Sequence, residues 1–468
     1  MEKQSRWILI LSAILSFVQA QAQEKQVHAF TARQCIEYAK QNNFEVKKVL
    51  EDIRIQEQVN REITASALPQ INGNANMNYF PRVAVQSFPN FIAAATYGVL
   101  EAEGVRDGNG NPIKSPNDFG FVQAAFGTKW NSTIGVSLQQ ILFDGQVFVG
   151  LQARDAALAF ARKNAELTEQ DIAVNISKIY YQLLIAGKQV ELYHDNIVRF
   201  EKLYHDTREI YKNGFGEKLD VDRVSVTLTN LRTDSIKLKT QLNNGFLGLK
   251  LLMGMPLTDS LILTEELTEE LVKKDILEGA YDYKDRREYQ LLEIGKELNQ
   301  YNVKRYKMTY LPTVTLSGAL NTATFRNQFD FFNPGGQWFA NSNIGLSISV
   351  PIFDGFRRSS QIQQAKSELK KTEYNMELLK RSIDNDVANA SNRMRDAILA
   401  VDAQRENMKL AEAVYEQTKK KYEQGLGSNT EINTAQTDLR TAQTNLFAAL
   451  YDAAVAKIDY LKAIGKLY

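Results

Sequence analysis

Along two long stretches of the chain, apolar and small residues recur at alternating steps of four and three. The first such seam runs from Ile172 through Leu183, Tyr193 and Phe200 to Thr207 and Tyr211. A 3.5-residue spacing held over more than five heptads predicts a coiled-coil helix. Helix over 146–211 would reach about 100 Å at ~1.5 Å per residue. The second seam runs from Ile383 through Met394, Val401 and Tyr415 to Thr418 and Tyr422, each position lying 211 after its counterpart, with no slip of register. Gly214-Phe215-Gly216 and Gly425-Leu426-Gly427 break the two helices just past their seams. Heptads then resume, from Val221 to Leu242 and from Ile432 to Ala453. Each half is therefore expected to hold an antiparallel helical hairpin with a tip of a few residues.

A second period, of two, precedes each hairpin. In 343–352, Ile344, Leu346, Ile348, Val350 and Ile352 alternate with Asn343, Gly345, Ser347 and Ser349. In 133–142, Ile134, Val136, Leu138 and Leu142 alternate with Gly135, Ser137 and Gln139, Gln140 being the exception. Their partners are 70–79, with Asn72, Asn74, Asn76 and Asn78 on one side, and 313–322, where Val314, Leu316 and Leu320 oppose Thr315, Ser317 and Asn321. None of the four contains a charge, and each has the length and alternation of an outer-membrane barrel strand. On that reading Ile344, Leu346, Ile348 and Val350 face lipid. Four strands cannot close a barrel, and lipid does not tolerate an open sheet edge, so several subunits must each contribute four.

The repeat is visible in short motifs as well. Leu68-Pro69 returns as Leu311-Pro312, Phe143-Asp144-Gly145 as Phe353-Asp354-Gly355, and Tyr211-x-x-Gly214 as Tyr422-x-x-Gly425. The expected organisation is a leader (1–22), an N-terminal helix (23–67), a strand pair with a long external loop (68–145) and a first helical hairpin (146–255). An insertion (256–285), a connecting helix (286–311), a second strand pair (312–355) and a second hairpin (356–468) follow.

Composition narrows the function. Lys and Arg number 56 against 55 Asp and Glu, a balance that gives no long-range field for nucleic acid. One cysteine, Cys35, and three histidines exclude an internal disulfide and a Cys- or His-rich metal site. Lys3 and Arg6, a 12-residue apolar run from Trp7 to Val18, and Ala20-Gln21-Ala22 read as a signal peptide cut after Ala22. Asp107-Gly-Asn109-Gly-Asn111 with Asp118 spaces oxygens as a Ca²⁺ loop does, but Pro112 stands where such a loop needs glycine, so an ordinary turn-rich external loop is expected. No Gly-rich phosphate loop, zinc-protease helix or nucleophile elbow is present, and no enzyme or cofactor is expected.

The order Leu-Pro, Phe-Asp-Gly and Tyr-x-x-Gly, twice in one chain, resembles the TolC family of outer-membrane efflux proteins over nearly the whole mature sequence. The resemblance implies a mainly α fold with a membrane β-barrel part. In it the duplicated unit of two strands plus a long coiled-coil hairpin assembles as a homotrimer, a 12-stranded barrel continued by a 12-helix periplasmic tunnel. It implies an exit duct for small molecules or polypeptides in the Gram-negative outer membrane, partnered by a periplasmic adaptor and an inner-membrane pump of RND or ABC type docking at the tips. It places the gate at Tyr211, Asp220, Arg223, Tyr422, Glu431 and Thr434, with Tyr422 expected to bond Asp220 of an adjoining hairpin. Two departures from the family stand out: Thr434 replaces a second acid of the constriction, and Gly427 an arginine of the latch. A non-porous periplasmic scaffold or adaptor is the alternative. Such adaptors carry short hairpins beside Gly-rich strand domains, which this chain lacks.

Overall fold

The computed structural model describes residues 26–268, 270, 273, 281–333 and 335–467; the expected leader lies outside them. Strand β1 (Val27–Phe30) is followed by α1 (Ala32–Asn42) and α2 (Phe44–Ser66). The single N-terminal helix expected within 23–67 is thus two. Asn43 explains the break: its backbone is extended, and its side-chain oxygen accepts from the N–H groups of Glu45 and Val46, so it starts the second helix. At the other end Thr31 and Gln34 form a capping box.

Strand β2 (Gln70–Tyr79) opens directly after Pro69. A surface excursion then adds β3 (Val85–Pro89), α3 (Phe91–Ala102) and β4 (Phe121–Ala125), and the chain returns as β5 (Trp130–Phe143). Helices α4 (Gly145–Lys212) and α5 (Lys218–Met253) form the first hairpin. After β6 (Ser260–Leu263) and α6 (Arg287–Met308) come β7 (Thr313–Arg326), β8 (Phe339–Ser349) and the second hairpin, α7 (Arg357–Glu423) with α8 (Asn429–Ala463). At 68 and 67 residues, α4 and α7 each extend about 100 Å.

The chain divides into two compact units, Met1–Gln58 with Ala153–Asn302 and Gln364–Tyr468, and Val59–Gln152 with Val303–Gln363. The second unit holds the sheet, with strands in the order β2-β5-β7-β8 and every pair antiparallel. The first holds the hairpin cores. There β1 and β6 pair in parallel, and Tyr180 ties them down by donating to the carbonyl of Phe30 while accepting from the N–H of Glu265. Ile176, Tyr180 and Leu183 of α4 pack with Cys35, Ile36 and Ala39 of α1 and with Leu249 and Met253 of α5.

The heptad seam of α7 points inward along its length: Ile383, Ala390, Met394, Val401 and Tyr415 are buried and the intervening seam residues are half-buried. Helix α4 buries more than one stripe. Besides its seam, Ala173, Ser177, Tyr180, Leu192, Asn196 and Leu203 are covered, because this helix packs on neighbours to both sides.

Candidate functional site: channel wall and gate

Register decides what the sheet can do. Directly opposed residues share a face of an antiparallel sheet. The rows Gly73–Val136–Leu320–Ser342, Ala75–Ile134–Thr322–Ala340 and Ile71–Leu138–Gly318–Ile344 lie on one face, followed along β7 and β8 by Leu316–Leu346 and Val314–Ile348. The rows Asn72–Ser137–Ala319–Asn343 and Asn74–Gly135–Asn321–Asn341 lie on the other. The alternation of each strand therefore adds up to one apolar face and one amide- and hydroxyl-rich face. Gly135 is required there, since a Cβ would collide with the Asn321 side chain. On the apolar face Ile134, Val136, Leu320, Ile344, Leu346 and Ile348 are between 48% and 86% exposed. Leaving such a patch bare in water is costly.

Val350 requires a correction. It was expected on the lipid-facing strand, but β8 ends at Ser349, whose partner is Thr313. The next pair would join Val350 to Pro312, and Pro351 follows. Neither proline has an N–H to donate, so the ladder stops. The strands also extend further at the other end than the alternation suggested, to Trp130, Arg326 and Phe339. Trp130 stacks there with Tyr79, Phe329 and Phe331.

The two tips are built alike. Gly214 and Gly425 have φ of 81° and 72°, left-handed values that favour glycine. The N–H groups of Gly214 and Phe215 bond the carbonyls of Tyr211 and Ile210, and those of Gly425 and Leu426 bond Tyr422 and Lys421, the double closure of a Schellman motif. Gly216 and Gly427 let the chain fold back, because a Cβ would press within 3.0 Å of Ile210 or 3.1 Å of Tyr422. Phe215 and Leu426 project from these turns, 87% and 77% exposed.

Just behind the tips, all four hairpin helices share one core: Phe200 and Leu203, Val224 and Leu228, Tyr415, and Ile432 and Ala435, with Tyr422 at its edge. The Tyr422 hydroxyl lies 3.3 Å from Thr207 Oγ1. The expected Tyr422–Asp220 bond is not among the hydrogen bonds within the described chain. Asp220 instead faces Arg223 at 4.0 Å, and its carbonyl accepts from Asn429 Nδ2. The reason is rotational: Tyr422 ends the inward seam of α7 and meets the seam of α4, whereas Asp220 sits in the first turn of α5. Glu431 has a local role, reaching back to the N–H of Ser428 while the Ser428 hydroxyl accepts from the N–H of Glu431. Its counterpart in the first repeat, Asp220, follows Glu217, which makes no side-chain cap. Thr434 is exposed and bonds the carbonyl of Thr430; Tyr211, 42% exposed, lies outside the shared core.

A match to the family described as outer membrane efflux protein spans residues 35–255 and 290–466. The chain belongs to this family. The TolC outer membrane protein of Vibrio cholerae is 21% identical over 335 residues, 71% of this chain and 76% of its own length. The alkaline protease secretion protein AprF of Pseudomonas aeruginosa is 21% identical over 338 residues, 71% and 68% of the two chains. Among solved structures, CusC superposes with a TM-score of 0.73 at 15% identity, covering 93% of this chain and 92% of that one. The CmeC outer membrane channel of Campylobacter jejuni gives 0.72 at 16%, covering 96% and 91%. The fold is that of these outer-membrane channels.

As a member of the outer membrane efflux family, the protein is placed in the outer membrane and works in efflux or secretion; the family is one of transport proteins. The turn at Asp107 uses its acids locally. Asp107 accepts from the N–H groups of Asn109 and Asn111, which hold its carboxyl below the usual range, and Asp118 accepts from Gly120. Among the described residues no cluster of His, Cys, Asp or Glu is suited to hold a metal. One feature of the gate region was missed from sequence: Asn429, Asn433 and Gln436 form a polar stripe on α8 beside its apolar seam, Asn429 and Gln436 buried and Asn433 half-buried. Their spacing of four and three is the signal that was available.

Proposed function

We propose that three copies of this chain close their sheets into a 12-stranded barrel, apolar face to lipid and asparagine face to the lumen, with the hairpins forming a periplasmic tunnel of 12 helices. The observation that carries this reading is the sheet itself. Its two faces are sorted across all four strands, and its outer strands β2 and β8 have no further partner among the described residues. Such edges are not tolerated in lipid, and pairing β8 of one copy with β2 of the next removes them. The tunnel conducts solutes from an inner-membrane pump, of RND or ABC type, to the exterior without catalysis or cofactor. A periplasmic adaptor joins the pump to the channel at Phe215 and Leu426, apolar side chains held out by the Schellman turns. The kinship with secretion proteins as well as with TolC supports a cargo range that includes polypeptides.

The test has two arms. Detergent-extracted protein should have the mass of three chains and form single channels in planar bilayers; a folded monomer in detergent overturns the architecture. Phe215→Asp with Leu426→Asp should abolish export while leaving the assembled mass unchanged. Normal export by that double variant removes the tips as the docking site.

A further inference from the structure

The 50-residue connection between β2 and β5 is far longer than the one between β7 and β8, and its composition is sharply divided. The 18 residues from Val83 to Leu100 carry no charge, nor do those from Phe119 to Thr128; apart from Arg82 and Lys129 at the two ends, the charges gather in Glu101–Asp118. The uncharged part is ordered structure. Strands β3 and β4 pair antiparallel, Asn90 caps α3 by accepting from the N–H of Ala93, and Glu101 anchors its far end by accepting from the N–H and hydroxyl of Ser115. Yet Phe91, Ile92 and Val99 of this helix are each more than 60% exposed. A 12-residue helix, about 18 Å long, is too short to cross a bilayer, so this apolar surface needs another cover.

Its position indicates which. The connection leaves the sheet at Tyr79, the end of edge strand β2. The other edge strand, β8, begins at Phe339 at the same end of the sheet, since Tyr79, Trp130 and Arg326 are aligned and Phe339 pairs with Ala323. Just before Phe339 lies a second apolar turn, in which Phe329 and Phe332 stack on each other and Phe332 is 85% exposed. When β8 of one copy pairs with β2 of the next, these two apolar surfaces are brought to the same side of the same seam. We propose that α3 is an intersubunit clasp, its Phe91–Val99 surface covering the Phe329–Phe332 turn of a second copy of this chain above the barrel rim. The inference rests on the closed-barrel reading and adds to it a contact outside the membrane.

The protein assembled in its own membrane provides the test. Cys35 is wholly buried and leaves little background, so Ile92→Cys with Phe332→Cys can be treated with a short bis-maleimide and run on a denaturing gel. Covalent dimers and trimers should exceed those of either single-cysteine variant by an order of magnitude or more. Trimers by mass that stay uncrosslinked overturn the clasp but not the barrel; absence of trimers from the unmodified protein overturns both. A companion variant, Phe91→Ser with Ile92→Ser and Val99→Ser, leaves every barrel strand intact. Its trimer should dissociate at a lower temperature than the parent's, and an unchanged dissociation temperature, or labelling of α3 by a photoactivated lipid-phase probe, overturns the proposal.

Discussion

The hydroxyl of Tyr422, last residue of the second seam, lies 3.3 Å from that of Thr207, last but one of the first. The bond joins the two hairpins just behind the tips, in the core that all four helices share. It adds a polar contact to the apolar packing of the two repeats at that level.

Tyr422→Phe and Thr207→Val each remove one partner of that bond and keep the shape. A neutral hydrogen bond is worth about 0.5–1.5 kcal/mol net, so three copies would bias a two-state aperture by a few kcal/mol. Both variants should raise the open fraction of single channels in planar bilayers, and the double variant should do no more than either alone. Wild-type gating in both removes this contact from the closing mechanism.

Glu431 combines a charge with a cap, and the two roles separate by substitution. Glutamine also completes a capping box. Glu431→Gln should therefore keep the melting temperature while weakening cation preference, if three such carboxylates ring the mouth. Ser428→Ala deletes the cap and should cost about 1 kcal/mol of stability, with cation preference retained. Reversal-potential and thermal-melting measurements on the same pair of variants check both statements.

The sorted faces of the sheet give a third expectation. Ile348→Arg puts a charge on the apolar face and should cost about 2–4 kcal/mol if it falls near the bilayer midplane. Ser347→Arg, one residue away on the polar face, should fold normally and change conductance. Equal destabilisation in refolding titrations would remove the assignment of inside and outside.

The parts of the structure legible in sequence are those whose signal is a period. The seam of α7 was readable because one stripe turns inward along its whole length, and the strand faces because each side of the sheet carries a single chemistry. Helix α3 was not readable. Phe91–Leu100 is apolar all round, so it has neither a 3.6 nor a 2.0 period, and it sits in what composition marks as a loop. Asn43 looked like an ordinary polar position within a helix until its side chain was seen to cap the next one. The partner of Tyr422 depended on how two helices 200 residues apart are rotated about their axes, which no local pattern encodes.

The last expectation concerns the segment that leads into α6. Tyr281 and Tyr283 both donate to the same oxygen of Asp384 on α7, at 2.7 and 2.8 Å. These two bonds hold the Asp384 carboxyl below its usual range, and the same carboxylate pushes Tyr281 up to about 12 and raises Tyr283. The signs bound a pH window. A lowered carboxyl pKa contributes stability that is complete above its unfolded value, near 3.9, and lost as pH falls through the folded one. A raised tyrosine pKa contributes stability that is complete below about 10 and lost as pH rises through the folded value. The contact of the two tyrosines with Asp384 should thus be insensitive to pH between about 5 and 9 and open at either extreme. Asp384→Asn keeps an acceptor but removes the charge. It should return the Tyr281 titration, followed by absorbance at 295 nm as a difference from a Tyr281→Phe control, toward 10, and it should speed hydrogen exchange at the turn Tyr283–Asp285. Identical titration curves with and without the Asp384 charge would mean that these hydroxyls do not share that carboxylate in solution.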